Sequence, residues 1–193
     1  MKQDRKSVIK PEPDRRETTT TKTVRLALDY ARAHGIKHIV IASTTGATAL
    51  KLAQMAKKQF NIVCITHQVG FAQPGKCELS RTVEKKLTEY QIPILRTTHL
   101  FAGVERAIRL KFGGIGPAEI IANTYRTFGE GTKVAVEIAV MALDAGLIPY
   151  GEDLISIAGT GKGADTALVL QPEHSHRFFM TKIKTIICKP TEF

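Results

Sequence analysis

The segment Lys37-His38-Ile39-Val40-Ile41-Ala42 runs without a break into Ser43-Thr44-Thr45-Gly46-Ala47-Thr48, and then into an Ala/Leu-rich stretch from Ala49 to about Lys57. A continuous apolar, β-branched run reads as a strand covered on both faces. A buried strand that ends in small hydroxylated residues and a glycine, and then opens a helix, is the start of a βα unit. The same turn gathers free backbone N–H groups, hydroxyls and the positive end of a helix dipole at one spot, which suits a phosphate group. Plain capping explains the same residues, because Ser and Thr are ordinary N-caps and Gly is an ordinary turn residue. The loop is neither a Walker A sequence nor Gly-x-Gly-x-x-Gly.

Residues 1–16 carry mixed charges with Pro11 and Pro13 and read as an N-terminal arm, in which Ser7-Val8-Ile9 offers a short edge strand. Residues 17–193 read as a single α/β domain. The threonines at 18–21 offer N-caps to a helix whose Val24, Ala27, Leu28 and Ala31 fall at i, i+3, i+4 and i+7, with Gly35 ending it. After the strand at 37–42, a second helix places Ala49, Leu52, Ala53 and Ala56 on one face, and 60–66 is a second buried strand. Residues 67–79 lack periodicity and hold Gly70, Pro74 and Gly75, the mark of a long functional loop. Ser80 caps a helix to about residue 90, a strand follows at 92–96, and helices are expected at about 101–111, 117–127 and 132–145. Strands at 154–158, 166–171 and 182–188 complete the chain.

Strands alternating with helices predict a three-layer α/β/α fold with a mostly parallel central sheet of order 3-2-1-4-5. Ligands of such sheets lie at the carboxyl ends of the strands, where the strand order reverses. That rule names two loops, 43–48 after strand one and Gly159-Thr160-Gly161-Lys162-Gly163 after strand four. Three alternate glycines permit close backbone approach and Lys162 supplies a positive charge, while a tight hairpin turn needs similar residues.

With 193 residues and 43% hydrophobic content, the chain can bury a full core without a metal or disulfide staple. Cys64, Cys77 and Cys188 are an odd set with no C-x-x-C spacing, which favours a reducing, cytoplasmic setting. No apolar run approaches about 18 residues and the start is polar, so neither a membrane nor a secretory route is expected. The net charge of +10 raises nucleic acid as a partner. Its lysines and arginines are scattered, without a basic tract or basic-aromatic segment, which argues against nucleic acid and for attraction of a small anion. The sequence leaves the oligomeric state open, a homo-oligomer included.

Residues 23–48 resemble the C-terminal α/β domain of pyruvate kinase, where the matching Thr/Ser-Gly-Thr loop holds the phosphate of an allosteric sugar bisphosphate. Nearly the whole chain is similar to a family of small stand-alone proteins of that type. The shared segments are Gly35-Ile36-Lys37-His38, Thr66-His67-Gln68-Val69-Gly70-Phe71, 99–111 with Gly113-Gly114, Val136-Glu137-Ile138, 146–149 and Gly163-Ala164-Asp165-Thr166. The resemblance implies non-covalent FMN, a phosphorylated small molecule, as the cofactor. Its phosphate would lie on Ser43, Thr44, Thr45, Gly46, Ala47 and Thr48. The ring would lie towards Thr66, His67, Gly70, Phe71, His99 and Gly159, Thr160, Gly161, Lys162 and Gly163. Flavin-dependent oxidoreduction is compatible with this, as is a regulatory module sensing a sugar phosphate or nucleotide. Pyruvate kinase activity is not expected, because its chemistry resides in a TIM barrel for which this chain is too short.

His67 and His99 follow two strand ends and are open to an acid–base role or to simple loop capping. Phe71, Phe101 and Phe112 are candidates for packing against a ring. Lys133 and Glu137 at i, i+4 either neutralise each other or, alternatively, Glu130, Thr132 and Lys133 at the helix start reach a ligand. His174 and His176 have no Cys or carboxylate spaced to complete a metal site.

Overall fold

The computed structural model describes residues 15–192. Six strands form one sheet in the order β3-β2-β1-β4-β5-β6: β1 His38–Ala42, β2 Asn61–Thr66, β3 Ile94–Arg96, β4 Leu154–Ala158, β5 Thr166–Gln171 and β6 Lys182–Cys188. The first four are parallel, with Ile39 beside Ile62 and Ile155, and β5 and β6 pair antiparallel beyond β4. The helices are α1 Arg15–His34, α2 Ala47–Ala56, α3 Arg81–Glu89, α4 Val104–Phe112, α5 Pro117–Arg126 and α6 Glu130–Asp144. The expected three-layer architecture and strand order are both present, with β6 added at the edge.

Alternation along the strands splits the core in two. Ile39, Ile41, Ile62, Cys64, Ile155, Ile157, Ala167 and Val169 face Val24, Leu28, Leu52 and Leu87 of α1, α2 and α3. Val40, Val63, Ile65, Leu154, Leu168 and Leu170 face the apolar side of α6. Ser156, on that second face, is fully buried and donates its hydroxyl to the Ala135 carbonyl at 2.7 Å. Among the described residues no helix is long and apolar enough to cross a membrane.

Three sequence expectations need correction. The threonines at 18–21 do not precede the first helix; they lie inside α1, which starts at Arg15, and so residues 15 and 16 are helix rather than arm. Strand β3 begins at Ile94 and not at 92, because Pro93 has no N–H to donate and Ile92 instead closes the end of α3 on the Leu87 carbonyl. Helix α4 starts at Val104, after Gly103 at φ 74°, a backbone no ordinary helical residue adopts. The Ser7-Val8-Ile9 strand falls outside the described residues.

Candidate functional site

Strands β1 and β4 are adjacent and parallel, so the loops that leave them emerge on the same edge of the sheet. A cleft of about 810 Å³ opens there, walled by Ser43, Thr44, Thr45, Ala47 and Thr48 on one side and by Gly159, Gly161, Lys162 and Gly163 on the other. The reversal of strand order is what brings together two loops more than a hundred residues apart. A smaller cavity, about 410 Å³, lies at the opposite end of the strands beside His38, Asn61 and Gln91.

Within the first loop the residues divide by role. Ser43 is buried and its hydroxyl accepts the Ala49 N–H at 3.3 Å, so it caps α2. Gly46, at φ 82°, is the N-cap and faces inward: a Cβ there would stand 2.4 Å from Val83 Cγ1 and 2.7 Å from Leu79 Cδ1. The need for glycine at 46 is therefore set by the turn and by packing against α3, not by backbone approach to the cleft. Thr44, Thr45, Ala47 and Thr48 remain on the wall, and the amides of Ala47 and Thr48 open α2 without an intrahelical acceptor.

The second loop is a hairpin turn and a wall at once. Gly161 and Gly163 take φ of 72° and 79°, and a Cβ on Gly159 would meet the Gly163 carbonyl at 2.6 Å. Asp165 secures the turn by accepting the exposed Thr160 N–H at 3.0 Å, which keeps Thr160 off the cleft wall.

His67, at the end of β2, lines the cleft. Its Nδ1 lies 2.8 Å from Glu78 Oε2 and its Nε2 lies 3.5 Å from Thr44 Oγ1. Phe71 covers it with ring centroids 3.9 Å apart, and the Arg106 guanidinium sits 5.4 Å above the Phe71 ring. His99 stands behind, 5.2 Å from His67. Burial lowers the His99 pKa from its ordinary 6.5, against the pull of the Glu137 carboxylate 3.7 Å from Nδ1. Its Nε2 is buried without a partner. Thr66 is buried and donates to the Thr44 carbonyl at 2.8 Å, and Gly70 is folded into the loop through the Lys76 carbonyl. Gly46, Thr66, Gly70, Phe71, His99 and Thr160 thus surround or support the cleft and are not among its walls.

Glu137 is fully buried, paired with Lys133 at 2.6 Å, and accepts the Phe101 N–H at 2.9 Å. The neutralising reading of Lys133 and Glu137 holds, and Glu130 alone of that helix end's polar trio reaches the cleft. Phe101 packs edge-on against Phe178, and Phe112 is exposed on α4, so neither meets the cleft. His174 is bonded to Asp144 at the far end of α6, roughly 20 Å from Glu130 by helix rise.

Thr20, Lys51 and Glu78 also line the cleft, and the sequence reading missed them. Thr20 Oγ1 accepts the Ala164 N–H at 2.9 Å, which ties α1 to the second loop across most of the chain. Lys51, bonded to Thr21 at 2.9 Å, lies one turn beyond Thr48 on α2. That spacing was a readable signal, whereas nothing local marked Glu78. Both wall carboxylates have cationic or imidazole partners, Glu130 with Arg126 and Glu78 with His67. Lys51 and Lys162 are the two cationic side chains on these walls.

Residues 21–170 match the model of the family described as pyruvate kinase, alpha/beta domain. This chain belongs to that family. The matched span runs from within α1 to Leu170 of β5 and so includes both loops of the cleft. Among solved structures, a pyruvate kinase from Cryptosporidium parvum is 16% identical, with 83% of this chain and 23% of that one covered and a TM-score of 0.41. The Cryptosporidium parvum pyruvate kinase in complex with ADP is 17% identical, with 91% and 24% covered and a TM-score of 0.38. This chain spans about a quarter of the length of those kinases.

Proposed function

We propose that this domain binds FMN non-covalently, its phosphate at the start of α2 and its ring directed towards His67 and the loops after β2, β3 and β4. One observation supports the reading above others: the amides of Ala47 and Thr48, which have no acceptor among the described residues, the hydroxyls of Thr44 and Thr48, and Lys51 share one cleft with Lys162 opposite. A dianionic phosphate there would draw charge-assisted bonds worth roughly 1.5–3 kcal/mol each. The cleft volume of about 810 Å³ is within the usual range for small-molecule sites. Bound flavin would supply redox chemistry, with the domain providing orientation and electrostatics.

A second reading is a regulatory module for a sugar phosphate or nucleotide. It is favoured by walls rich in hydroxyls, on which His67 is the one aromatic ring among the described residues. Native mass spectrometry of the purified protein, followed by calorimetric titration with FMN, riboflavin and a sugar bisphosphate, separates the two. Tight FMN and weak riboflavin support the first; a sugar phosphate bound in preference to FMN supports the second. Equal affinity for FMN and riboflavin would remove the phosphate site from both.

A further inference from the structure

We infer that Thr44, His67 and Glu78 form a nucleophile–base–carboxylate relay, and that the cleft hydrolyses carboxylic esters, an activity independent of flavin. Three contacts carry this. Glu78 Oε2 lies 2.8 Å from His67 Nδ1, and because a carboxylate only accepts, Nδ1 carries the imidazole proton and Nε2 is left basic. That Nε2 is 3.5 Å from Thr44 Oγ1, long for a hydrogen bond but within the looser spacing of empty active sites, where such contacts tighten on substrate binding. Thr44 is itself held from behind, its carbonyl fixed by the Thr66 hydroxyl at 2.8 Å, while the Phe71 ring covers the imidazole at 3.9 Å, tilted by 33°.

The placement matches the chemistry. Thr44 sits on the turn between a buried strand and a helix, and the three relay side chains all line one open cleft. The amides of Ala47 and Thr48, without an acceptor among the described residues, lie on the same wall, and they are donors for a negative charge that develops on a carbonyl oxygen.

The reaction closes without any further reagent. Thr44 Oγ1 bonds to the ester carbonyl carbon while His67 Nε2 takes its proton. The bond to the alcohol oxygen then breaks, and His67 returns the proton to the departing alkoxide. Water attacks the acyl-threonine by the same route, releasing the acid and restoring the Thr44 hydroxyl. Thr44 and His67 are the catalytic residues, and Glu78 is a positioning residue.

The test is hydrolysis of p-nitrophenyl acetate by the full chain, with Thr44→Ala, Thr44→Ser, His67→Gln and Glu78→Gln, each checked for native circular dichroism. Thr44→Ala and His67→Gln should lose about 10²–10⁴-fold in kcat/KM. Thr44→Ser should keep the activity, since it keeps the nucleophilic oxygen. Glu78→Gln should lower kcat with KM unchanged, because it removes the carboxylate charge that stabilises the imidazolium formed as Thr44 attacks. A fluorophosphonate probe should add its mass to the peptide containing Thr44. Turnover equal in wild type, Thr44→Ala and His67→Gln, or labelling elsewhere, overturns the relay. FMN affinity lost in Thr44→Ala with no wild-type esterase activity also overturns it: Thr44 and His67 are then phosphate ligands, and the FMN proposal stands. Esterase activity without FMN binding has the opposite meaning.

Discussion

Glu137→Gln should unfold this protein far more easily than its conservative appearance suggests. The native carboxylate has no exposure and meets the Lys133 ammonium at 2.6 Å and the Phe101 N–H at 2.9 Å. Glutamine keeps the shape and an oxygen for Phe101, so the change removes little besides the charge. It leaves an ammonium at 8% exposure, with the Phe101 ring 5.6 Å away. At an effective dielectric of about 20 the lost attraction is about 6 kcal/mol. Relaxation and partial neutralisation reduce this, and breaking one side of a buried pair costs about 3–5 kcal/mol. That is a large share of a typical domain stability of about 5–15 kcal/mol. In urea, with a slope of about 2 kcal/mol/M, the circular-dichroism midpoint should fall by about 1.5–2.5 M. The double variant Lys133→Met/Glu137→Gln should recover most of the loss, since no buried charge is left unpaired. A midpoint shift under about 0.5 M, or a double variant no better than the single, would refute the reasoning.

Ser43→Ala removes the acceptor of the Ala49 N–H and should cost about 1 kcal/mol by the same unfolding assay. Gly46→Val combines a strained φ of 82° with the 2.4 Å contact to Val83 and should cost more than Ser43→Ala, whether or not ligand is present. His99 gives a pH signature. Burial holds its folded pKa below 6.5, so the unfolded chain binds more protons between those two values. Its contribution is present above about pH 6.5 and is lost as pH falls, and midpoints measured from pH 7 to pH 5 should drop less steeply in His99→Gln. The Cys64 thiol is pushed up to about 12 by burial, whereas Cys77 is exposed, so a thiol reagent at pH 8 should label Cys77 and spare Cys64 until the protein unfolds.

Local periodicity made most of the fold legible. Ile39-Val40-Ile41 and the similar run at 62–65 announced strands covered on both faces, and the two core clusters divide them residue by residue. The alternation of strands and helices then gave the strand order, and the order gave the meeting of loops 43–48 and 159–163. What stayed hidden depends on long-range contact. Thr20 looked like an N-cap because threonine often is one, yet its hydroxyl serves Ala164 from within α1. Glu78 ends an irregular loop, and its pairing with His67 follows from how that loop folds back. Gly46 was legible as a turn residue, which its φ of 82° bears out, but its packing was not, since the atoms that exclude a side chain belong to Leu79 and Val83.

The central claim is that the carboxyl edge of the sheet, and not the opposite end, holds a phosphorylated ligand. Amide ¹H–¹⁵N spectra of the protein titrated with FMN and, separately, with riboflavin test it residue by residue. FMN should shift Ala47, Thr48, Gly161 and Gly163 together, and riboflavin at the same concentration should leave Ala47 and Thr48 in place. Shifts confined to His38, Asn61 and Gln91 around the other cavity, or equal responses of Ala47 and Thr48 to both compounds, would contradict it.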